Sequence, residues 1–123
     1  MRRPSGSPGG RVEDTAALAK IAERIVAAYD VVDTSLPSGL AAISPLNILL
    51  QIYIAEGHAL YLTAGGLCRP ADTSVFTVEK WLDVLEAEGL IDQKNGLIAL
   101  TQMGYETVVK TLSDIEERQR SLD

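Results

Sequence analysis

The sequence of 123 residues predicts one mostly helical α+β domain. Two observations predict this class. Apolar residues recur at spacings of three and four over most of the chain, as they do on helices that pack on one face. One Asn-Gly pair, Asn95-Gly96, separates two short apolar runs, which is typical of a β-hairpin. The folded region is expected at residues 13–123, after a disordered tail at 1–12 that is rich in proline, glycine and arginine.

The charge balance is acidic: 11 lysines and arginines stand against 17 aspartates and glutamates, for a formal net charge of −6. This balance argues against a general nucleic-acid coat protein and a polybasic membrane binder, because neutralising phosphates requires cations. It is compatible with a local basic patch. No apolar run approaches the length of a transmembrane helix, and the N-terminus lacks the apolar stretch of a signal peptide. We therefore expect a cytoplasmic protein with no membrane partner.

Residues that carry catalytic or metal chemistry are scarce. The chain has one cysteine, Cys68, and one histidine, His58, so it lacks the residues for a disulfide framework, a zinc site or a Cys-His nucleophile. Acidic pairs such as Glu86 and Glu88 are expected on solvated helix faces. The sequence therefore predicts no enzyme, no cofactor and no metal site. Cys68 is expected to be a buried structural residue, although Arg69 beside it leaves a reactive thiol open.

The first two predicted helices are strongly apolar. The first, at 13–34, has more apolar surface than one core can absorb, and its excess is expected to pack against a second subunit. The second is predicted at 44–57, because Ser44 suits the N-cap, Pro45 suits the first helical position and Gly57 suits a left-handed C-terminal cap. Since this helix is apolar on nearly every side, we expect it at the centre of the domain.

A short extended segment and two further helices follow. Residues 58–62 have weak β character, and Thr63 can cap a brief helix. A longer helix is predicted at 74–88, with Gly89 as its left-handed end. The brief helix and the longer one match a helix-turn-helix pair in length and spacing.

A hairpin and a last helix complete the chain. The strands are predicted at 90–93 and 97–100, and the final helix at 102–120. Helices followed directly by a tight two-stranded hairpin form the winged helix-turn-helix arrangement. The helix-turn-helix then lies at 63–89, and the hairpin at 90–100 is the wing.

Two segments carry a more specific pattern. Residues 85–91 read LEAEGLI at the end of the long helix, and residues 100–104 read LTQMG after the hairpin, where Thr101 is the expected N-cap. The two segments resemble the Leu-Glu-x-x-Gly-Leu-Ile and Leu-Thr-x-x-Gly motifs of MarR-type winged-helix transcriptional regulators. The apolar helix SPLNILLQIYIAEG is similar to that of one branch of the family, and the resemblance covers residues 13–118.

The resemblance implies a homodimer that binds double-stranded DNA, with the helix at 74–88 as the recognition helix in the major groove. The helices at 13–34 and 102–120 would form the dimer. The candidate dimer residues are Leu18, Ile21, Ile25, Leu112 and Ile115. Hydroxyl, aromatic and cationic side chains of the helix-turn-helix and the wing supply the candidate contacts to phosphates or bases. These residues are Arg69, Thr73, Ser74, Phe76, Thr77, Lys80 and Lys94.

The charge of this region leaves a second interpretation open. Three cations and six acids lie between residues 69 and 100, and no arginine lies in the predicted recognition helix. The alternative is a winged-helix module that binds another protein through its acidic face, as an adaptor or an antagonist of another regulator. Phe76 lies off the apolar stripe of its helix, so a core or ligand-pocket role and an exposed contact are both open.

Overall fold

The computed structural model describes residues 8–36, 44–67 and 75–122. Within these ranges, four α-helices and one two-stranded antiparallel sheet follow in the order α1–α2–α3–β1–β2–α4. Their bounds are Pro8–Ser35 (α1), Pro45–Gly57 (α2), Val75–Ala87 (α3), Ile91–Lys94 (β1), Leu97–Leu100 (β2) and Gln102–Ser121 (α4). The α+β, mostly helical class is therefore confirmed, and the order of elements is compatible with a winged helix.

Helix α1 starts earlier than the sequence predicts. It begins at Pro8 and not near residue 13, so residues 8–12, which we expected in the tail, are helical. Proline suits the first position of a helix because its missing N–H is not needed there and its φ angle is already helical. Residues 1–7 of the expected tail lie outside the described residues.

Helix α2 lies at the centre of the fold, as its composition predicts. Ile48 and Leu50 are fully buried, and the helix packs against α1, α4 and β2. The expected N-cap is confirmed, since Oγ of Ser44 accepts a hydrogen bond from the N–H of Asn47 at 3.0 Å. The same hydroxyl donates to Oη of Tyr29 at 3.1 Å, which connects the start of α2 to α1.

The end of α2 differs from the prediction. The left-handed residue is Ala59, with a φ of 59°, and not Gly57. The N–H of Leu60 donates to the carbonyl of Ala55 at 2.8 Å, and the N–H of Ala59 donates to that of Glu56 at 3.0 Å. This is the hydrogen-bond pattern of a Schellman motif. The last turn of α2 therefore extends past Gly57, and the chain changes direction at Ala59.

The predicted helix-turn-helix region is described in two parts. A 3₁₀ turn at Gly65–Leu67 has the expected cap, since Oγ1 of Thr63 accepts a hydrogen bond from the N–H of Gly66 at 3.1 Å. Helix α3 ends at Ala87, and the φ of 80° at Gly89 confirms the predicted left-handed residue after it. The side chains that α3 buries are Val78, Leu82 and Leu85. Cys68 lies outside the described residues.

The hairpin has the turn that the Asn-Gly pair predicts. Asn95 and Gly96 both have positive φ angles, 55° and 81°, as a type I′ turn requires. Strand β1 begins and ends one residue later than predicted. Because it ends at Lys94, which pairs with Leu97, the connection shortens to Asn95 and Gly96. Leu62 forms an antiparallel bridge to Ile98 of β2, in which the N–H of Ile98 donates to the carbonyl of Leu62 at 2.9 Å. The β character predicted for residues 58–62 corresponds to this one bridge, at Leu62.

Thr101 connects the hairpin, the end of α3 and the start of α4. Its Oγ1 accepts a hydrogen bond from the N–H of Gly104 at 2.9 Å, which confirms the predicted N-cap. The same hydroxyl donates to the carbonyl oxygen of Gly89 at 2.6 Å. One side chain therefore satisfies a donor at the start of α4 and an acceptor at the turn after α3.

Three of the residues predicted to form a dimer contact belong to the core of the single chain. Leu18, Ile21 and Leu112 are 5%, 6% and 0% exposed and lie in the main apolar cluster. Their assignment to a dimer contact is corrected, because a side chain buried within its own chain has no surface left for a partner. Ile25 and Ile115 are half-buried against the same core, and their contact with a second subunit stays a prediction.

Candidate nucleic-acid interface

The candidate interface consists of the first half of α3 and the β1–β2 hairpin. The predicted DNA-binding residues that the structure describes are Phe76, Thr77, Lys80 and Lys94, and all four are exposed. The predicted residues outside the described ranges are Arg69, Thr73 and Ser74. The structure thus places the described candidates on two neighbouring elements, since α3 contacts β1 directly.

Phe76 and Lys80 form one exposed pair on α3. They lie four residues apart, and Nζ of Lys80 is 5.3 Å from the centroid of the Phe76 ring, within the range of a cation–π contact. Phe76 is 68% exposed, so it is not a core residue. The pair presents an aromatic face and a positive charge together in the first two turns of the helix.

One side chain holds the hairpin against the second half of α3. Nε2 of Gln93 donates to Oε1 of Glu86 at 3.1 Å and to Oδ1 of Asp83 at 3.4 Å. Gln93 lies on the same side of β1 as the buried Ile91, because side chains alternate along a strand. This contact was not predicted from the sequence, although the alternation along the strand places Gln93 on the side that faces the helix. The contact fixes the hairpin relative to α3.

The surface around these residues is acidic overall. Lys80 and Lys94 are the cations of residues 75–100; Lys80 lies in the second turn of α3, and Lys94 precedes the hairpin turn. The acids of the same span, all exposed, are Glu79, Asp83, Glu86, Glu88 and Asp92. A phosphate backbone would therefore be attracted to this surface only near the two lysines, and repelled elsewhere.

The excess apolar surface of α1 lies near its C-terminal end. Val31 is 62% exposed, and Val32 and Leu36 are each 43% exposed. Val31 and Val32 supply the excess apolar surface that the sequence predicts for α1, and Leu36 directly follows the helix. The α1 residues predicted to form the dimer, Leu18, Ile21 and Ile25, are different ones, because the apolar stripe on which they lie packs on α2 and α4.

The sequence matches no protein-family model and no curated protein, and no solved structure matches the fold. Within the described part of the chain, no helix is both long and apolar enough to cross a membrane. Among residues 8–36, 44–67 and 75–122, no group of three His, Cys, Asp or Glu side chains is arranged to hold a metal ion.

Proposed function

We propose that this chain is a winged helix-turn-helix protein that binds double-stranded DNA, as a MarR-like dimeric transcriptional regulator. The observation that carries the proposal is the exposed first half of α3 beside a type I′ hairpin, with Lys80 and Lys94 both exposed on these two elements. In helix-turn-helix proteins, the N-terminal residues of the recognition helix contact base edges in the major groove. Helix α3 takes that place, and the hairpin is the wing.

Each described candidate has a separate role in this proposal. Lys80 and Lys94 neutralise phosphates on the two sides of the recognition helix, which supplies affinity but little sequence preference. Thr77 supplies a hydroxyl to a base edge or a phosphate, and the exposed ring of Phe76 suits an apolar contact such as a thymine methyl group. Because only two cations take part in the described span, the affinity is expected to be modest and to depend on the dimer.

The dimer is assigned to the exposed apolar end of α1. Val32 and Ile25 lie seven residues apart and therefore on the same side of the helix, with the exposed Val31 adjacent. A second copy packed on this surface would cover apolar area that the single chain leaves in water. Two recognition helices related by a two-fold axis can reach half-sites one helical turn apart on the duplex.

Fluorescence anisotropy with a labelled duplex at low salt tests DNA binding. The double variant Lys80→Ala/Lys94→Ala is expected to bind about tenfold more weakly, because the phosphate contacts supply most of the affinity. The matched control is Lys20→Ala/Lys110→Ala, which removes two exposed lysines from α1 and α4 and changes the net charge equally. If the two double variants bind equally, the proposed interface is wrong.

A second candidate function is favoured by the apolar and acidic character of the same surface. Helix α3 exposes Val75 and Val84 as well as Phe76, and exposed acids surround them. Apolar side chains within a charged rim are typical of contacts with another protein. The second candidate is therefore a winged-helix module that acts as an adaptor or an antagonist of another regulator.

A photo-crosslinking amino acid in place of Phe76 separates the two functions. It is expected to capture DNA if α3 is a recognition helix, and another protein if α3 is a protein-docking surface. The same substitution at Glu117, which is exposed on α4, is the control and is expected to capture neither through this surface. Protein capture at position 76 without DNA capture would replace the first proposal with the second.

A further inference from the structure

A cavity of about 330 Å³ lies between α1, α2 and the first turn of α4. Its polar lining residues are Glu23, Tyr53, Glu56, His58 and Tyr105, and Ile54 contributes an apolar wall. The volume falls within the range of about 300 to 1,000 Å³ that small-molecule sites occupy. The residues described as lining it belong neither to α3 nor to the hairpin, so this cavity is separate from the candidate nucleic-acid interface.

The most deeply buried polar group of the cavity is Tyr53. The residue is 7% exposed, and no described residue forms a hydrogen bond with its hydroxyl. Burial, and secondarily the neighbouring Tyr105, raise the pKa of the Tyr53 phenol above its ordinary value. Buried hydroxyls usually have a hydrogen-bond partner, and none of the described residues provides one to Tyr53. This hydroxyl lines a cavity from which a ligand could supply the partner.

Two aromatic rings form adjacent walls of the same cavity. The ring centroids of Tyr53 and Tyr105 are 6.0 Å apart, and the ring planes are inclined by 39°. Inclined rings expose part of their faces instead of covering one another, as stacked rings do. The negative face of an aromatic ring attracts a cation within about 6 Å of its centroid.

Two carboxylates add negative charge to the cavity. Glu23 projects from α1 and is exposed, whereas Glu56 is half-buried and its Oε2 accepts a hydrogen bond from the N–H of Leu100 at 2.8 Å. That bond fixes the carboxylate of Glu56, and its second oxygen has no hydrogen bond to a described residue. Within the described part of the chain, no lysine or arginine lines the cavity.

We infer that the cavity binds an organic ammonium ion, which is an amine or a quaternary ammonium group on an apolar body. The carboxylates of Glu23 and Glu56 balance the charge of the ligand, and the tyrosine rings attract it through cation–π contacts. Ile54 contacts the apolar body. If the ammonium carries an N–H, that group donates to Oη of Tyr53. A carboxylate or phenolate ligand is disfavoured, because both glutamates repel it. The site does not depend on the proposed DNA binding.

Isothermal titration calorimetry of the full chain without DNA tests the charge of the ligand. The probes are benzylammonium and benzyltrimethylammonium, and benzoate is the control because it has the same ring and the opposite charge. Both cations are expected to bind at millimolar concentration or below, and benzoate is expected not to bind. Binding of benzoate as tightly as the cations, or failure of both cations to bind, would overturn the inference whether or not the chain binds DNA.

Substitutions at two lining residues test the site. Glu23→Gln is expected to weaken both cations about threefold, because an exposed carboxylate contributes modestly, and Glu117→Gln is the matched control on an exposed part of α4. Tyr53→Phe is expected to weaken benzylammonium about fivefold through the lost hydrogen bond and to leave benzyltrimethylammonium unchanged. Both variants keep the packing of the fold. Equal effects of Glu23→Gln and Glu117→Gln would place the ligand elsewhere and contradict the inference.

Discussion

The carbonyl oxygen of Leu90 occupies the space that a side chain at position 104 would need. The same oxygen accepts a hydrogen bond from the N–H of Thr101 at 3.1 Å, which holds it in place. Gly104 is therefore a packing requirement where the chain after α3 meets the first turn of α4. The segments LEAEGLI (residues 85–91) and LTQMG (residues 100–104) meet at this contact.

We expect Gly104→Ala to lower the free energy of unfolding by about 2 kcal/mol or more. A Cβ at this position would overlap backbone atoms of Leu90, which cannot rotate away as a side chain can. Gly57→Ala is the control, because a Cβ there has no atom within 4 Å, and it is expected to leave stability unchanged or raise it slightly. Urea unfolding measures both. Equal stability of the two variants would contradict the close approach at position 104.

The hairpin turn requires a glycine at position 96 for a different reason. A Cβ at Gly96 would have open space around it, so the requirement there is the positive φ of 81° and not packing. We expect Gly96→Val to lower the free energy of unfolding by about 1 kcal/mol or more, because β-branched residues fit this region poorly. Asn95→Gly is expected to change it little, since glycine adopts positive φ readily. An unchanged melting temperature in Gly96→Val would count against the type I′ turn.

At the scale of elements, the helix and strand ends are the features that the sequence predicts best. Ser44 and Thr101 cap their helices and the Asn-Gly pair forms the turn, because short-range hydrogen bonds and φ preferences decide each of them. The start of α1, at Pro8 and not near residue 13, and the end of α2 are exceptions. Gly57 suits the left-handed position, but the hydrogen bonds formed by Ala59 and Leu60 extend the turn beyond it.

Whether a side chain is buried or exposed was harder to predict than which segments form helices and strands. Helix α1 is apolar on more than one side, so its sequence alone could not separate Leu18, which packs in the core, from Val31, which is exposed. Phe76 posed the same problem on α3. The bridge from Gln93 to α3 depends on how strand and helix pack together, which no local signal in the sequence specifies. The elements that carry the described candidate residues were therefore predictable, and the contacts of those residues were not.

Among the contacts between elements, the two hydrogen bonds of Thr101 are expected to contribute most to stability. We expect Thr101→Ala to lower the free energy of unfolding by about 1 to 2 kcal/mol, because it removes the cap of α4 and the hydrogen bond to Gly89. Thr107→Ala is the control: Thr107 is exposed on α4 and bonds only within its helix, where alanine has the higher helix propensity. Chemical denaturation compares the two. If Thr107→Ala were the more destabilising, the role assigned to Thr101 would be wrong.

At the scale of the whole molecule, the proposed dimer and the monomer core depend on different residues. We expect Val31→Asp to weaken self-association without lowering monomer stability, because Val31 is 62% exposed. Leu112→Asp is expected to destabilise the monomer itself by about 3 kcal/mol or more, since it buries a charge in the core. Sedimentation measures the first effect and urea unfolding the second. A wild type that stays monomeric at tens of micromolar would contradict the proposed dimer.

The acidic charge of the molecule makes DNA binding the claim most in need of a direct measurement. Few cations are available, so few counterions are released on binding, and the salt dependence of the affinity reports their number.

That measurement is the slope of log K against log salt concentration for duplex binding, in the wild type and in Lys80→Ala/Lys94→Ala. With two or three phosphates neutralised per subunit of a dimer, we expect a wild-type slope of about −4 to −5. The double variant is expected to lose most of this slope while keeping its stability, because both lysines are exposed. The same slope in both proteins, or no binding by either at any salt concentration, would contradict DNA binding through α3 and the hairpin.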